Sequence, residues 1–253
     1  ILKARQLGIS ILSAGYSLWM MLFHNDKNIL VIATGKETAK NLVTKVRVMY
    51  EGLPQWLKTN TEEINKLSIR FANGSQIKAI ASNESAGRSE ALSLLIIDEA
   101  AFIDRIDTIW TAAQQTLSTG GGCIALSTPN GVGNWFHKQW LGAEERTNQF
   151  NTIRLHWTDH PDRDQVWRDE QDKILGPSQA AQECDTDFLS SGRSVVDPAI
   201  LQWYKDEMIE APIEEVGIDR GMWVWRQPDY TKEYIVVADV ARGDGSDFSA
   251  CQV

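Results

Sequence analysis

The sequence predicts an α/β protein with a mostly parallel sheet flanked by helices. Three short apolar runs support this prediction, namely NILVIAT (28–34), SLLIIDEA (93–100) and GCIAL, which opens the segment 122–131. Such runs are typical of strands buried on both faces, as in parallel sheets that are covered by helices. Segments with helical spacing alternate with the runs, and this alternation favours parallel strand order.

The remaining elements of this part of the chain follow from periodicity. Residues 10–23 are densely apolar and predict a buried helix, and residues 107–117 predict another. A third helix is indicated by apolar residues at helical spacing, namely Ala39, Leu42, Val43, Val46, Met49 and Tyr50. The segment LSIRF-ANGS-QIKAIA (67–81) predicts a hairpin with an Asn-Gly turn.

Composition excludes several classes of protein. The 253 residues are 43% hydrophobic and 23% charged, which fits a globular protein with a core. No run of 18 uncharged apolar residues predicts a membrane span. The three cysteines have no C-x-x-C spacing, which argues against a disulfide framework or a zinc site.

The charge of the chain is uneven. The net charge of −9 does not suit a protein coated in nucleic acid, yet residues 1–97 carry 12 Lys and Arg against 7 Asp and Glu. These basic residues form either a local contact for a polyanion or a solvated helix face. The sequence pattern changes near 145–150, where an acidic segment with few apolar runs begins, and near 225, where an apolar run follows. These changes predict domain boundaries at the two points. Because the chain starts without Met and both ends are apolar, we expect a fragment of a longer protein.

The segment LLIIDEA places two acids at the carboxyl end of a buried strand, where open α/β sheets bind ligands. In a nucleotide hydrolase the first acid, Asp98, would hold Mg²⁺, and the second, Glu99, would act as the general base. The alternative is a strand that ends in two solvated acids.

The opening segment ILKARQLGIS has parts of a phosphate-binding loop. On the G-x-x-x-x-G-K-[ST] template, Gly8 takes the second glycine and Ser10 the hydroxyl, whereas Ile9 stands at the lysine position. A glycine turn, N–H groups at a helix start and a hydroxyl for Mg²⁺ are what such a loop needs. Lys3 or Arg5 would then supply the missing cation, unless the segment is an ordinary strand-to-helix turn.

A third apolar run ends in ALSTPNG. Its Ser127 and Thr128 could hydrogen-bond a γ-phosphate or its attacking water, although Ser-Thr-Pro is also a common start of a loop. Together, the opening loop, the two acids and this segment indicate a P-loop NTPase-type sheet.

These segments, followed by VVADVARGDGSDFSA, resemble in order the large terminase subunit of tailed phages, which packages DNA into proheads. The resemblance spans essentially the whole chain. It implies a P-loop ATPase domain at 1–148, a small, mostly helical linker subdomain at 149–225 and the truncated start of an RNase H-like nuclease domain at 226–253. The expected cofactors are ATP and Mg²⁺, with Mn²⁺ as an alternative at the nuclease site.

The resemblance also implies roles for individual residues. Lys3 would be the displaced phosphate lysine, Arg5 a loop arginine finger, and Arg88 an arginine offered to a neighbouring subunit, although its Gly-Arg-Ser context departs from the expected Arg-Gly. Asp239 would be the first metal ligand of the nuclease and Asp247 an accessory acid. The other expected ATP-site residues are Gln6, Gly8, Ile9, Ser10, Asp98, Glu99, Ser127 and Thr128.

The implied partners are double-stranded DNA, the portal protein, the small terminase subunit and further copies of the chain in a ring, with no membrane. The implied location is the cytoplasm of the infected host and, transiently, the prohead portal. Two alternatives remain open. A helicase-type translocase would share the Asp-Glu strand, and a nucleotide-binding assembly protein would carry Ile9 as the mark of an inactive loop.

Overall fold

The chain forms two compact units, Ile1–Gln202 and Trp203–Val253, and each is described separately. The domain boundaries expected near 148 and 225 stay predictions. The computed structural model describes residues 1–81, 91–118, 120–189, 191, 200, 203–204, 207–217, 221–240 and 250–253.

The first unit alternates strands and helices, as its sequence predicts. Its helices are α1 (Ile9–Phe23), α2 (Lys36–Glu51), α3 (Ile106–Leu117), α4 (Trp135–Glu144), α5 (Gln165–Leu175) and the short α6 (Pro177–Ala180). Its strands are β1 (Leu2–Lys3), β2 (Asn28–Ala33), β3 (Thr61–Ile64), β4 (Ser68–Phe71), β5 (Gln76–Ala81), β6 (Leu94–Asp98), β7 (Gly122–Leu126) and β8 (Arg154–Leu155). Its described residues also form short 3-10 turns at Gln55–Leu57, Ala100–Phe102 and Trp157–Asp159 and a π-helical turn at Ala181–Asp185.

Six strands form the central sheet in the order β3-β4-β5-β2-β6-β7. The strands β5, β2, β6 and β7 are parallel to one another, whereas β3 and β4 are antiparallel additions at one edge. The prediction of a mostly parallel sheet is therefore confirmed. The hairpin predicted at 67–81 is the antiparallel pair of β4 and β5.

Strand β1 brings the start of the chain to the carboxyl end of this sheet. It pairs in parallel with β8, and Leu2 forms a parallel bridge with Ser127, just beyond β7. The N–H of Lys3 donates to the carbonyl of Ser127 at 3.0 Å. Since β7 neighbours β6, the loop after β1 lies at the same edge as Asp98.

Both faces of the sheet are covered, which explains the uninterrupted apolar runs. Alternate residues of β2 show this, because Ile29 and Val31 join one core cluster with α1 and α2 residues. Leu30 and Ile32 join a second cluster with residues of α3 and α4.

Two elements differ from the sequence prediction. Helix α1 is rich in apolar residues, yet only one side is buried, and Leu12, Tyr16, Trp19 and Phe23 are 42–66% exposed. Periodicity could not show this, because no polar residues mark the exposed side. Strand β3 escaped prediction because all four of its residues are exposed.

The second unit contains two antiparallel hairpins, β9 (Glu214–Val216) with β10 (Met222–Val224) and β11 (Val237–Asp239) with β12 (Ala250–Gln252). The two strands predicted at the end of the chain correspond to β11 and β12, whereas the Gly/Asp turn predicted between them lies outside the described residues. Its assignment to an RNase H-like fold stays a prediction. Among the described residues, no helix has the length and apolar character needed to cross a membrane.

Candidate nucleotide-binding site

The loop after β1 curls tightly before it enters α1. Gln6 has φ 60° and Gly8 has φ 77°, both in the left-handed region. Gly8 is the N-cap of α1 and offers no side chain to the N–H groups of the first turn. Such uncapped N–H groups, together with the positive end of the helix dipole, favour an anion at this point.

Lys3 projects from the end of β1 toward the acids of β6. Its Nζ atom lies 3.0 Å from Oε1 of Glu99, and the residue is only 5% exposed. Ile9, at the lysine position of the usual motif, is the first residue of α1 and is buried in the core that α1 and α2 share. The one buried cation beside the acids, among the described residues, therefore comes from the start of the loop.

Ser10 and Asp98 face each other across the same edge. The Ser10 hydroxyl donates to Oδ2 of Asp98 at 3.3 Å. The other carboxylate oxygen, Oδ1, is buried and has no hydrogen-bond partner among the described residues. Burial raises the pKa of the Asp98 carboxyl, Glu99 raises it further, and Lys3 opposes this shift.

This donor set fits Mg²⁺. The ion usually takes one or two carboxylates, keeps several waters and completes its shell with substrate phosphates. A hydroxyl and an unsatisfied buried carboxylate oxygen supply such a partial shell, and a bound cation would satisfy Asp98 Oδ1. No group of three or more His, Cys, Asp or Glu residues among the described residues forms a larger metal cluster.

Glu99 occupies a strained position at the end of β6. Its φ of 55° and ψ of 47° are left-handed, which costs a residue with a side chain about 1–2 kcal/mol. The 3-10 turn Ala100–Phe102 follows directly. In that turn, the N–H of Ala101 donates to the Ser127 hydroxyl at 3.2 Å, and its carbonyl accepts from Asn130 Nδ2 at 3.0 Å.

Ser127 and Thr128 lie at the expected sheet edge and are buried, with exposures of 0% and 3%. Ser127 contacts both neighbouring segments, because its backbone bonds to β1 and its side chain to the turn after Glu99. It therefore links β1, which precedes the curled loop, to the acid pair.

Arg5 turns away from this cluster. Its guanidinium lies 3.0 Å from Oε1 of Glu183, and its side chain is 67% exposed. The backbone of Arg5 is held on the same side, since its N–H donates to the carbonyl of Glu183 and its carbonyl accepts from Arg163.

The structure does not bring every predicted residue together. Arg88 and Asp247 lie outside the described residues, and Asp239 lies on β11 of the second unit. Sequence reasoning also missed Asn130 and Glu183. The Asn of Pro-Asn-Gly had only a turn signal, and Glu183 had no motif at all.

The comparison with family models decides the assignment. Residues 1–197 match the model described as terminase large subunit, T4likevirus-type, N-terminal. The chain belongs to this terminase family. The resemblance inferred from the sequence motifs is thereby confirmed, and the matched residues include every group of the site described above.

Individual terminases are similar to parts of this chain. A probable terminase large subunit of Escherichia phage Mu is 34% identical over 101 residues, which is 40% of this chain and 18% of that relative. The large terminase ATPase domain of Thermus phage P74-26 has a TM-score of 0.60 at 22% identity, covering 74% of this chain and 86% of that one. A large terminase of a thermophilic bacteriophage in complex with ADP has a TM-score of 0.55 at 15% identity, covering 72% and 46%. The chain thus spans a minor part of the Mu relative, and the structural likenesses show the fold.

Proposed function

We propose that this chain is the ATP-hydrolysing part of a phage DNA-packaging motor. The observation that carries the proposal is the double contact between loop and strand, Lys3 with Glu99 and Ser10 with Asp98. Residue pairs that lie 96 and 88 positions apart in the sequence thus place a cation, a hydroxyl and two acids beside the uncapped N-terminus of α1. Terminases of this fold solved with ADP and with ATP-γ-S support a nucleotide as the ligand.

The loop would bind the triphosphate. Its curled backbone and the first turn of α1 would donate N–H groups to phosphate oxygens, and Lys3 would neutralise the β- and γ-phosphates. Ser10 and Asp98 would hold Mg²⁺, which neutralises charge on the phosphates when bound. Gln6 and Gly8 supply the left-handed backbone that this curl requires.

Glu99 would orient and deprotonate the attacking water. In the structure its carboxylate is engaged by Lys3 at 3.0 Å, so the base is held beside the loop. Phosphates bound by Lys3 would compete for that cation and release the carboxylate for water. Ser127 and Thr128 would respond to loss of the γ-phosphate, and Arg5 could reach the phosphates only after leaving Glu183.

We extend the proposal to the whole protein as a motor. Hydrolysis would drive double-stranded DNA into the prohead through a ring of subunits docked on the portal protein, with the small terminase subunit as a further partner. The complete protein would cut concatemeric DNA at a two-metal site that includes Asp239 and Asp247. Its location would be the cytoplasm of the infected host and, during packaging, the portal.

The test is the substitution Glu99→Gln. Loss of one general base costs roughly 10²- to 10⁴-fold in turnover, and binding of ATP should remain because Lys3, Ser10 and Asp98 are intact. Steady-state hydrolysis and equilibrium binding of ATP measure the two effects. The control is Glu144→Gln, since Glu144 accepts a hydrogen bond from Trp140 on α4 and has no part in the site.

Unchanged hydrolysis in Glu99→Gln would show that this acid pair is not catalytic. A wild-type protein that binds ATP without turnover would instead favour the assembly protein with an inactive loop.

A further inference from the structure

We infer that Asn130 is a positioning residue for the general base. It would act through Ala101, by holding the turn that keeps Glu99 in its left-handed conformation. The inference rests on the proposed function, because it concerns how Glu99 performs hydrolysis. Asn130 itself would touch neither nucleotide nor water.

The geometry is a pair of hydrogen bonds, from opposite sides, to the backbone N–H and the backbone carbonyl of one residue, Ala101. Ser127 accepts from the N–H of Ala101 at 3.2 Å, and Asn130 Nδ2 donates to the carbonyl of the same residue at 3.0 Å. Ala101 is 8% exposed, and it lies two residues after Glu99. Both residues that bond to Ala101 lie in the loop that follows β7, the neighbour of β6 in the sheet.

The two hydrogen bonds to Ala101 stabilise an unfavourable backbone conformation at Glu99. Left-handed Glu99 costs about 1–2 kcal/mol and persists only when its surroundings hold it. On the other side of Glu99, strand β6 is fixed by hydrogen bonds to β2 and β7. The turn Ala100–Phe102 is therefore the part that could relax, and such a relaxation would rotate the Glu99 carboxylate away from Lys3 and the phosphates.

Asn130 is itself held in place. Asn134 Nδ2 donates to the carbonyls of Asn130 and Gly131 at 2.9 and 3.1 Å, and the Asn134 side-chain oxygen caps α4. The N–H of Gly131 donates to the buried Ser191 hydroxyl at 3.0 Å. The loop after β7 is thus a rigid support rather than a free turn.

A purely structural role for Asn130 makes different predictions. If Asn130 only shaped the Pro-Asn-Gly turn, its loss would lower thermal stability and nucleotide affinity together with turnover. A positioning role predicts a selective fall in kcat, because Lys3, Ser10 and the loop backbone still bind ATP. The donor itself can be tested with Asn130→Asp, which keeps the shape but carries no N–H.

The experiment compares Asn130→Ala and Asn130→Asp with Asn148→Ala and Asn148→Asp. Asn148 is a matched control, since its Nδ2 also donates to a backbone carbonyl, that of Gln139, at 2.8 Å. Measurements are kcat and KM for ATP, equilibrium binding of ADP and the melting temperature. We expect kcat to fall about 10- to 100-fold in both Asn130 variants, with KM and ADP affinity within about twofold. Both Asn148 variants should keep kcat.

The possible results separate this inference from the proposed function. Wild-type kcat in Asn130→Asp, or a fall in kcat that ADP affinity follows equally, would overturn the positioning role while Glu99→Gln still abolishes turnover. If Asn130→Ala does not fold, Asn130→Asp decides alone by the same criterion. An active Glu99→Gln would overturn the proposed function, and this inference would fall with it.

Discussion

Strands β6 and β11 have the same sequence pattern but very different surroundings. Each belongs to an apolar run that ends in an acid, LLIID for β6 and YIVVAD for β11. Every residue of β6 is buried, including Asp98 at 6% exposure. In the second run, Ile235 and Val237 are 81% and 66% exposed.

The difference lies in what other segments bring to the acid. Strand β6 has β2 and β7 on its two sides, and β1 and α1 deliver Lys3 and Ser10 to its carboxyl end. Strand β11 pairs with β12, and no third strand joins that sheet among the described residues. An acid after an apolar run therefore predicts a strand end, and convergence of distant segments makes that end a site.

The largest effect that would sharpen this comparison is expected from Lys3→Ala. The substitution removes the only cation within salt-bridge distance of Glu99 among the described residues. We expect ATP hydrolysis to fall at least about 100-fold, because the phosphates and the acid pair both lose their counter-charge. Hydrolysis and ATP binding are to be measured in the same preparation.

The control for Lys3→Ala is Ile9→Val. Ile9 occupies the lysine position of the usual motif but packs in the core, and valine keeps most of that contact. Activity near that of the wild type is expected. Equal losses in the two variants would mean that the loop tolerates no change at all and would remove the support for a displaced lysine.

A smaller effect is expected from protonation of Asp98. Because burial and Glu99 raise its pKa, protons compete with Mg²⁺ at a higher pH than for an ordinary aspartate, whose pKa is about 3.9. Lys3, the Ser10 hydroxyl and Lys45 oppose the shift without reversing it. As the pH falls, Mg²⁺-dependent ATP binding should therefore weaken at a higher pH than it would with an aspartate of ordinary pKa. The substitution Asp98→Asn should weaken Mg²⁺-dependent ATP binding at neutral pH by at least about tenfold. It should also remove the fall in binding that protonation of Asp98 causes.

Titration of ATP binding against pH, with Mg²⁺ and with a chelator, measures this effect. If ATP binding in Asp98→Asn depends on pH as it does in the wild type, a group other than Asp98 is responsible for the titration.

Local chemistry explains which parts of the site could be predicted. Ser10, Asp98 and Glu99 follow from spacing, because a loop before a helix and an acid after a buried strand are local patterns. Spacing left Lys3 and Arg5 as alternatives for the cation, and the family resemblance implied Lys3. Asn130 acts through a backbone carbonyl 29 residues away, and no local pattern encodes that contact.

The same distinction applies to the fold. The strands buried on both faces could be predicted, since each residue in the run must be apolar. The exposed side of α1 could not, because Trp19 and Phe23 look like core residues in the sequence. Their exposure is a property of tertiary packing.

The stability of the two runs should differ in the same sense. Ile96→Ala in β6 removes a side chain with 0% exposure and should cost about 2–5 kcal/mol in the free energy of unfolding. Ile235→Ala, at 81% exposure, should cost less than about 0.5 kcal/mol. Urea denaturation of the two variants compares the free-energy cost of the same Ile→Ala substitution in the two strands' surroundings. Equal costs would show that Ile235 is buried in solution and that the two runs have similar surroundings.

The smallest effect on ATP hydrolysis is expected from Asp239→Ala. The contacts of the proposed ATP site are made by residues 3–131, all within the first unit, whereas Asp239 ends β11 in the second. Turnover of ATP should therefore stay within about twofold of the wild type. Among the described residues, no group of three or more His, Cys, Asp or Glu could hold a metal ion, and a two-metal site needs several carboxylates around ions about 3.5–4 Å apart. We therefore expect the 253 residues not to cut plasmid DNA with Mn²⁺. A whole terminase subunit, with strands that supply those carboxylates, should cut and should lose cutting on Asp239→Ala.

A fall in ATP turnover on Asp239→Ala would break the comparison, since the acid of β11 would then serve the same chemistry as the acids of β6. Metal-dependent cutting by the 253 residues would show that Asp239 already has its partners.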